Sequence, residues 1–379
     1  MKVLYLSEWY PNRYDAMSGL FVRKHALSCA RQGIDVCVLY ICQVPDEDQH
    51  TLKDTEIVVE NTESVTEIYV YHNDKYLSAL VRGWTRVKKQ WGMPDLCQLN
   101  VITKNAILPL WLKIMHGTPY SIIEHWTGYL PANPQYQSSG PLHKAMTRLA
   151  TRLADIVMPV SAELMRAMKQ CGLKCRKWQV INNVVDDFFY GRHKPERTDG
   201  TFNLLHISDF GVPHKNVNGI LRAAHAVSQH HSGFRLTLVG NGPDYQKALD
   251  CAAALGFAPE TLRWTGELQP KQVAQEFDKA DAFVLFSNYE NAAVVLSEAL
   301  ATGVPVISTP VGFATEIVDS ATGLLVPVDD EAALRQAIEN MMDNLQRYDR
   351  SKIEQRGAQF SMAAVGKQLA DIYKQCVKH

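Results

Sequence analysis

The 379-residue sequence predicts an α/β protein of two doubly wound, Rossmann-like domains, each a parallel sheet with helices on both faces. Two observations predict this fold class. Short apolar runs with the length of buried strands alternate along most of the chain with segments of helical period, which is typical of parallel sheets. The chain is also too long for one compact core and fits two domains of about 150 to 200 residues each.

The first domain opens with a βαβ unit. KVLYLS (2–7) is a buried strand, FVRKHALSCARQG (21–33) is a helix that Gly33 ends, and IDVCVLYI (34–41) is a second strand. The alternation then continues through strand SIIEH, helix PLHKAMTRLATRLA, strand DIVMPVS, helix AELMRAMKQCG and strand WQVINNVV, which ends at residue 185.

A charged segment without a period, DDFFYGRHKPERTDG (186–200), interrupts the alternation. We place the domain boundary there, with residues 1–190 as the N-terminal, acceptor-side domain and residues 191–355 as the C-terminal domain. The last helical stretch, from about residue 331 to residue 376, is longer than one domain needs. We therefore expect residues 356–379 to cross back to the N-terminal domain.

The second domain repeats the alternation. Its segments are FNLLHIS (202–208), GILRAAHAVSQH, FRLTLVG, DYQKALDCAAALG, LRWTG, VAQEFDKA, DAFVLFS, AAVVLSEALATG, VPVIS and GLLVPV. Open parallel sheets bind ligands beyond the carboxyl ends of their strands. A ligand site is therefore predicted in a cleft where the two domains face each other.

Composition excludes several classes of protein. The 39 basic and 40 acidic side chains balance, which argues against nucleic-acid binding. The apolar run at the N-terminus is too short for a signal or spanning segment, so a cytoplasmic protein is expected. The eight cysteines show no zinc-site spacing and are expected to be reduced thiols.

The segment ENAAVVLSE (290–298) carries the chemistry. DAFVLFS is a strand, NYEN a loop and AAVVLSEALATG a helix, so Glu290 lies on the loop and Glu298 about two turns inside the helix. The first N–H groups of a helix attract anions, and small residues leave that backbone approachable. A diphosphate fits there, with sugar hydroxyls at the two carboxylates. The alternative is that Glu290 caps the helix and Glu298 is solvated.

The chain resembles the retaining GT-B-fold glycosyltransferases of family 4, also called group 1, from near residue 1 to about residue 330. The resemblance includes the E-x7-E pattern of Glu290 and Glu298, followed by EALATGVPVISTPVGFATEIV and TGLLVPVDD. VSAELMRAMKQCG, VINNVVD, LTLVGNGPDYQ, WTGEL and ADAFVLFSNYE precede it in the order of the family.

The resemblance implies roles for residues of the second domain. Glu290 would contact the transferred sugar, and Glu298 would contact the ribose. The diphosphate would be bound by the backbone amides near Ala293 and Val294, with Asn291 and Ala292 beside them. Lys215 would neutralise the leaving diphosphate in place of a metal. The family usually has an Arg six residues before that Lys, whereas this chain has Asp209, which either points away, pairing with Lys215, or marks a different grip on the donor.

The resemblance also implies residues of the first domain. Ser18 and Gly19 stand where the family carries a Gly-Gly close to the diphosphate, and His125 in IIEHWTGY stands where a strand-end His faces the sugar. The implied reaction is front-face transfer, in which the leaving phosphate oxygen takes the proton of the acceptor hydroxyl. The catalytic residues would be His125, Lys215 and Glu290, with no metal or resident cofactor. The co-substrate would be a UDP- or GDP-linked hexose used in cell-surface polysaccharide synthesis.

Other readings stay open. Asp46 and Asp48 form a D-x-D, which holds a metal in the other large glycosyltransferase fold. A nucleotide-sugar epimerase of GT-B fold, or a binding protein without catalysis, would share the donor site.

The segment LVRGWTRVKKQW (80–91) bears on the acceptor. A helix there places Leu80, Trp84, Val87 and Trp91 on one stripe and basic residues on another. Such a helix either lies on anionic lipid, which suggests a lipid-linked acceptor and a peripheral location at the inner face of the membrane, or packs its stripe on the sheet.

Overall fold

The computed structural model describes residues 1–52, 55–73, 75–193, 200–211 and 214–378, with the side chains of residues 49–51 excepted. The chain forms two compact units, Met1–Val184 with Met362–His379, and Val185–Ser361. The division falls a few residues before the predicted boundary after residue 190. Within the predicted linking segment, residues 194–199 lie outside the described residues.

The first unit contains a seven-stranded sheet with the order β3-β4-β2-β1-β5-β6-β7, in which only the β3–β4 pair is antiparallel. The strands are β1 (Lys2–Ser7), β2 (Asp35–Gln43), β3 (Glu56–Thr62), β4 (Val65–His72), β5 (Leu96–Asn100), β6 (Tyr120–Glu124) and β7 (Ile156–Pro159). The helices are α1 (Leu20–Ala30), α2 (Tyr76–Gln90), α3 (Ile107–His116), α4 (Gln135–Ser138), α5 (Pro141–Leu153) and α6 (Ala162–Gln170).

The second unit contains a six-stranded parallel sheet with the order β10-β9-β8-β11-β12-β13. Its strands are β8 (Phe202–Ile207), β9 (Phe234–Val239), β10 (Leu262–Gly266), β11 (Ala282–Leu285), β12 (Val306–Ser308) and β13 (Gly323–Leu325). Its helices are α7 (Val217–Ser228), α8 (Tyr245–Leu255), α9 (Pro270–Lys279), α10 (Val294–Ala301), α11 (Ala314–Ile317), α12 (Glu331–Asp343) and α13 (Arg350–Gly357). One apolar core lies on each face of this sheet.

The final helix, α14 (Met362–Val377), belongs to the first unit. It packs closely on α1, since a Cβ at Gly366 would lie 2.3 Å from the carbonyl oxygen of Ser28. The Tyr373 hydroxyl is 2.7 Å from that of Tyr5 and donates to Gln98 at 3.0 Å. Helices α1 and α14 therefore cover one face of the first sheet.

Helices α2 and α5 cover the opposite face of that sheet. Residues paired across parallel strands point to the same side. One such row across β2, β1, β5 and β6 is Leu39, Leu6, Leu99 and Ile122. The α2 backbone at Gly83 approaches Leu39, and the hydroxyl of Tyr120, two residues before Ile122, donates to Ala150 of α5.

The order of the second sheet places a switch point between β8 and β11. The chain leaves β8 toward β9 on one side and leaves β11 toward β12 on the other. The loops that follow these two strands therefore diverge and leave a crevice at the carboxyl edge, which is where open α/β sheets bind ligands.

Three sequence predictions are wrong in detail. WQVINNVV runs beside β7, with one bridge from Trp178 to Val157, but is not a regular strand, and the carbonyl of Asn182 contacts the His25 ring. The stretch from residue 331 to residue 376 is three helices interrupted by turns. Helix α10 begins at Val294, two residues later than predicted. The β3–β4 hairpin and the β5–α3 segment were not predicted.

Candidate functional site

The loops after β8 and β11 meet through Lys215 and Glu290. The Lys215 ammonium lies 2.5 Å from Oε1 of Glu290, and the two side chains are only 15% and 11% exposed. The Ser287 hydroxyl donates to the same carboxylate oxygen at 2.9 Å. An acid and a base that stand 75 residues apart in the chain therefore neutralise each other inside the switch-point crevice.

Backbone contacts fix this pairing. The amide of Asn288 donates to the carbonyl of His214 at 2.7 Å, and the His214 ring lies 5.5 Å from that of Tyr289. Each of these contacts joins the residue before Lys215 with one of the two residues before Glu290. The two charged side chains are thus presented by loops that hold each other.

Asp209 does not pair with Lys215, which was one of the two arrangements predicted for it. Its carboxylate accepts a hydrogen bond from the Gly211 amide at 3.1 Å and lies 3.7 Å from the His214 ring, with 68% of the side chain exposed. Because Lys215 pairs with Glu290, the predicted pairing of Asp209 with Lys215 is wrong. Burial and the charge of Lys215 lower the pKa of His214, whereas Asp209 opposes that shift.

A buried histidine ties the loop after β8 to β11. The Nδ1 of His206 lies 2.9 Å from the Val284 carbonyl, and its Nε2 lies 2.8 Å from the Ser208 hydroxyl. Since a carbonyl can only accept, Nδ1 carries the proton and Nε2 accepts from Ser208. The Ser208 oxygen accepts in turn from the Phe210 amide at 3.3 Å. Burial lowers the pKa of His206 to about 4, so the ring stays neutral in this chain of hydrogen bonds.

The start of α10 lies directly after the Glu290 loop. Its N-cap is Ala293, which has no side chain able to cap the helix, and Val294 is the first helical residue. Asn291 is buried and its carbonyl accepts from Phe313 at 2.9 Å, whereas Ala292 and Ala293 are half-buried. The first amides of α10 therefore sit behind small side chains, as the sequence predicted for an anion site.

Glu298 is the fifth residue of α10 and is half-buried. Its charge acts on Tyr190, because burial first, and then Asp187 and Glu298, raise the pKa of that phenol. The Tyr190 hydroxyl donates to the Gly357 carbonyl at 3.1 Å. Sequence reasoning missed Tyr190, which stands in the segment taken as a linker.

Gly312 is a second residue that sequence reasoning passed over, although it lies in the quoted segment PVGF. Its φ is +53°, and a Cβ there would lie 2.5 Å from the Asn291 carbonyl oxygen and 2.6 Å from that of Glu290. Only glycine lets the backbone before α11 press against the loop before α10. Ser287 was missed as well, since no local pattern links it to Glu290.

In the first unit, Gly19 is the N-cap of α1 and has a φ of +58°. A Cβ at Gly19 would lie 2.1 Å from the Trp9 carbonyl oxygen, so glycine is required by the close approach of two backbone segments. The amide of Ser18 donates to the Asp15 carboxylate at 3.0 Å, which holds the turn before the helix. Both predicted residues thus lie at the carboxyl edge of the first sheet, after β1.

His125 follows β6 and is half-buried. Its ring lies 4.2 Å from that of Phe21 and 5.9 Å from that of His25. Burial first, and then His25, hold the pKa of His125 well below its ordinary value, so the ring is neutral at pH 7. The buried Glu124 carboxylate, whose pKa burial raises to about 7, accepts from the amides of His125 and Trp126 and fixes the strand end.

Asp46 and Asp48 of the D-x-D lie in a 3₁₀ turn of the first unit, Asp46–Thr51. Within the part of the chain that the structure describes, no group of three or more His, Cys, Asp or Glu side chains is placed to hold a metal ion. Over the same residues, no helix is long and apolar enough to cross a bilayer.

Known proteins resemble both the sequence and the fold. Residues 201–344, most of the second unit, match the family model described as Glycosyl transferases group 1. N-acetyl-alpha-D-glucosaminyl L-malate synthase of Bacillus anthracis is 26% identical over 290 residues, which cover 74% of each chain. Glycogen synthase of Mycobacterium tuberculosis is 23% identical over 98% of this chain and 94% of its own. Anabaena HepE, in a crystal structure with UDP, superposes with a TM-score of 0.75 at 18% identity over 99% of this chain and 100% of its own.

These likenesses define the class of protein. Two Rossmann-like units, matched along the whole chain by the HepE structure, are the GT-B fold. The family match over residues 201–344 and the relative from Bacillus anthracis confirm the resemblance to the glycosyltransferases of group 1 that Glu290, Glu298 and their flanking segments carry.

Proposed function

We propose that the protein is a retaining glycosyltransferase that moves a hexose from a nucleotide-diphosphate sugar to a saccharide or lipid-linked acceptor in cell-surface polysaccharide synthesis. The observation that carries this proposal is the contact of Lys215 with Glu290 across the switch point, beside the start of α10. A diphosphate with its sugar would need a cation, backbone amides and a carboxylate near one another; Lys215 and Glu290 supply the two charges, and α10 begins at Val294, shortly after Glu290.

The charge pair suggests how a donor is received. With no ligand, each charge is balanced by the other in a site that is mostly shielded from water. The ammonium has three donors, so it can bond a phosphate oxygen while keeping Glu290 as a neighbour. The carboxylate is then available to accept from a sugar hydroxyl. Donor binding would give Lys215 a phosphate partner and Glu290 a hydroxyl partner in place of their single contact with each other. Neither buried charge would be left without a partner.

In the proposed reaction the protein places the reactants and stabilises charge. The bond between the anomeric carbon and the phosphate oxygen breaks, and the acceptor oxygen bonds that carbon on the same face. The departing phosphate oxygen takes the proton of the acceptor hydroxyl, while Lys215 and the first amides of α10 stabilise the diphosphate. Glu298 would hold the ribose from further along α10. His125, neutral and half-buried at the end of β6, would accept from or donate to a sugar hydroxyl.

The proposed nucleotide and the proposed acceptor rest on similarity to known proteins. The HepE structure contains UDP, which favours UDP over GDP in this chain. A relative that is a glycogen synthase favours a growing saccharide as the acceptor.

We also propose peripheral membrane contact, through the cations of residues 80–91 but not through the predicted stripe. Leu80, Trp84, Val87 and Trp91 are buried on the sheet, so that stripe is wrong as a lipid contact.

The decisive experiment measures donor binding and transfer together. The intact protein is screened by thermal shift against UDP- and GDP-linked hexoses, because a ligand bound only by the folded state raises the melting temperature. The stabilising donor is then incubated with saccharide and lipid-linked acceptors in the presence of EDTA. We expect nucleotide release that depends on an acceptor, survives EDTA and gives a product with the anomeric configuration of the donor.

Three results would contradict the proposal. Release of free nucleotide with an altered sugar and no acceptor would identify the epimerase alternative. Tight donor binding without turnover on any acceptor would favour a non-catalytic binding protein. Loss of activity in EDTA that Mg²⁺ restores would refute the role of Lys215 as substitute for a metal.

A further inference from the structure

Helix α3 of the first unit exposes an apolar stripe. Ile107, Trp111, Ile114 and Met115 follow one another at the spacing of a single helical face and are 37%, 41%, 68% and 62% exposed. Its other face buries Leu108, Leu110 and Leu112. A surface helix normally directs polar side chains outward, so a helix that is apolar on both faces needs a second apolar surface to cover it.

Helix α2 extends the stripe. Its outer side exposes Leu77 and Val81, at 56% and 63%. The rings of Trp84 and Trp111 lie 6.4 Å apart, which sets the two helices side by side. We call the exposed apolar side chains of these two neighbouring helices the α2–α3 patch: Leu77, Val81, Ile107, Trp111, Ile114 and Met115.

Cations border this patch, and α2, α3 and the neighbouring α5 contain no acidic residue at all. The exposed cations of α2 are Arg82, Arg86, Lys88 and Lys89. Helix α5 lies on the same face of the sheet and adds Arg148 and Arg152, with Leu142 82% exposed at its start. In a chain whose net charge is −1, this face is a strong local excess of positive charge.

We propose that the α2–α3 patch with its bordering cations docks the first unit onto an anionic lipid bilayer. Apolar side chains that project between basic ones match the two layers of a membrane surface, since the former reach the acyl boundary and the latter meet the headgroups. Nucleic acid would leave the apolar side chains in water. Because no helix of the described residues can span a bilayer, the contact is one of a surface with a surface.

This inference differs from the predicted stripe in the residues that enter the lipid. The lipid-facing apolar groups come mainly from α3, which the sequence did not single out, while α2 supplies cations. It does not rest on the donor site, because every residue of the patch lies in the first unit. Donor binding and vesicle binding are therefore expected to fail separately.

The test is co-sedimentation of the intact protein with vesicles of phosphatidylcholine alone or with about a third phosphatidylglycerol. Binding is expected to the anionic vesicles and to weaken as salt rises, because the cations attract the headgroups. Two double variants, Ile114→Glu with Met115→Glu and Arg86→Glu with Lys89→Glu, should each lower the partition coefficient at least about tenfold.

Matched controls come from the second unit. Leu325→Glu places a charge on an apolar position that is 41% exposed, and Lys352→Glu reverses an exposed lysine. Both should bind vesicles as the unmodified protein does. All variants are checked for unchanged melting temperature, which is expected because the altered side chains are exposed.

Three outcomes would overturn the proposal. The first is absence of sedimentation with anionic vesicles at low salt. The second is equal loss of binding in the control variants. The third is a dimer in analytical ultracentrifugation without lipid that the Ile114→Glu, Met115→Glu variant abolishes, because a second copy of the chain would then be what covers the patch.

Discussion

Replacing Lys215 by Met tests the centre of the candidate site. The substitution keeps most of the side-chain volume and removes the charge that balances Glu290. That carboxylate, only 11% exposed, would retain the Ser287 hydroxyl as a hydrogen-bond donor. Two losses are expected, one in the stability of the second unit and one in affinity for a nucleotide diphosphate.

The expected sizes follow from the burial of the pair. Removing one partner costs about 3–5 kcal/mol when an ion pair is fully buried, and exposed pairs contribute about 0–1 kcal/mol. With 15% and 11% of the side chains exposed, Lys215→Met should lower the free energy of unfolding by roughly 2 kcal/mol. Loss of a charge-assisted contact of about 1.5–3 kcal/mol should weaken UDP binding by about tenfold to a hundredfold.

The assay is a double-mutant cycle. Urea unfolding and UDP titration are measured for Lys215→Met, for Glu290→Gln and for the double variant. Making Glu290 neutral removes the uncompensated charge, so the double variant should recover stability without recovering UDP affinity. Lys271→Met, on an exposed position of α9, is the matched control and should change neither quantity.

The reasoning fails if Lys215→Met loses stability but binds UDP as well as the unmodified protein does. The pair would then hold two loops together and have no part in a donor site. It fails equally if the double variant is no more stable than Lys215→Met, because the charge on Glu290 would then not be the cause of the instability.

Three further predictions concern the same unit. Gly312→Ala should displace the carbonyls that its Cβ would meet at 2.5–2.6 Å and weaken UDP binding roughly tenfold, whereas Gly256→Ala, also at positive φ but in open space, should cost only about 1 kcal/mol of stability and leave binding intact. Burial lowers the pKa of His206 to about 4, so between pH 6.5 and pH 4 this histidine binds a proton in the unfolded chain but not in the folded one. His206 should therefore lower the free energy of unfolding by about 3 kcal/mol over that range. His206→Asn should flatten that part of the urea-unfolding profile against pH, and an unchanged slope would refute the assignment. Glu298→Ala should weaken UDP binding but not pyrophosphate binding, since only UDP has a ribose; an equal loss for both ligands would contradict that role.

Much of the second unit is readable from the sequence because its central strands are short apolar runs, buried on both faces and bounded by turn residues. The edge strand β10, which is only partly buried, coincides with LRWTG at both ends. The first unit is harder to read. The β3–β4 hairpin escaped because EIVVENT mixes apolar and charged residues at an exposed sheet edge. WQVINNVV has the composition of a strand, but side chains from α1 and α14, His25 and Gln368, contact its carbonyls at Asn182 and Val180.

The site shows where local reasoning stops. The sequence singled out Lys215 and Glu290 separately but did not predict that they pair with each other. The acid nearest to Lys215 in the sequence is Asp209, so local reasoning offered that residue as the partner. The order of the sheet decides the pairing, because β11 inserts beside β8 and brings its own loop to the crevice. Ser287 and Gly312 serve Glu290 through contacts that no short motif encodes. The stripe of α2 had two readings in the sequence, and burial of Trp84 decided for packing.

Because α14 returns to the first unit, the two units differ in how they could be produced as separate fragments. The second unit, Val185–Ser361, is one uninterrupted length of chain. The first is not, so a ribosome must complete the second before it delivers the residues that cover Tyr5 and Ser28. A fragment cut at Val184 would keep α1 but expose the part of the sheet that α14 covers, and should be prone to aggregate, whereas the other fragment could be produced alone for ligand studies.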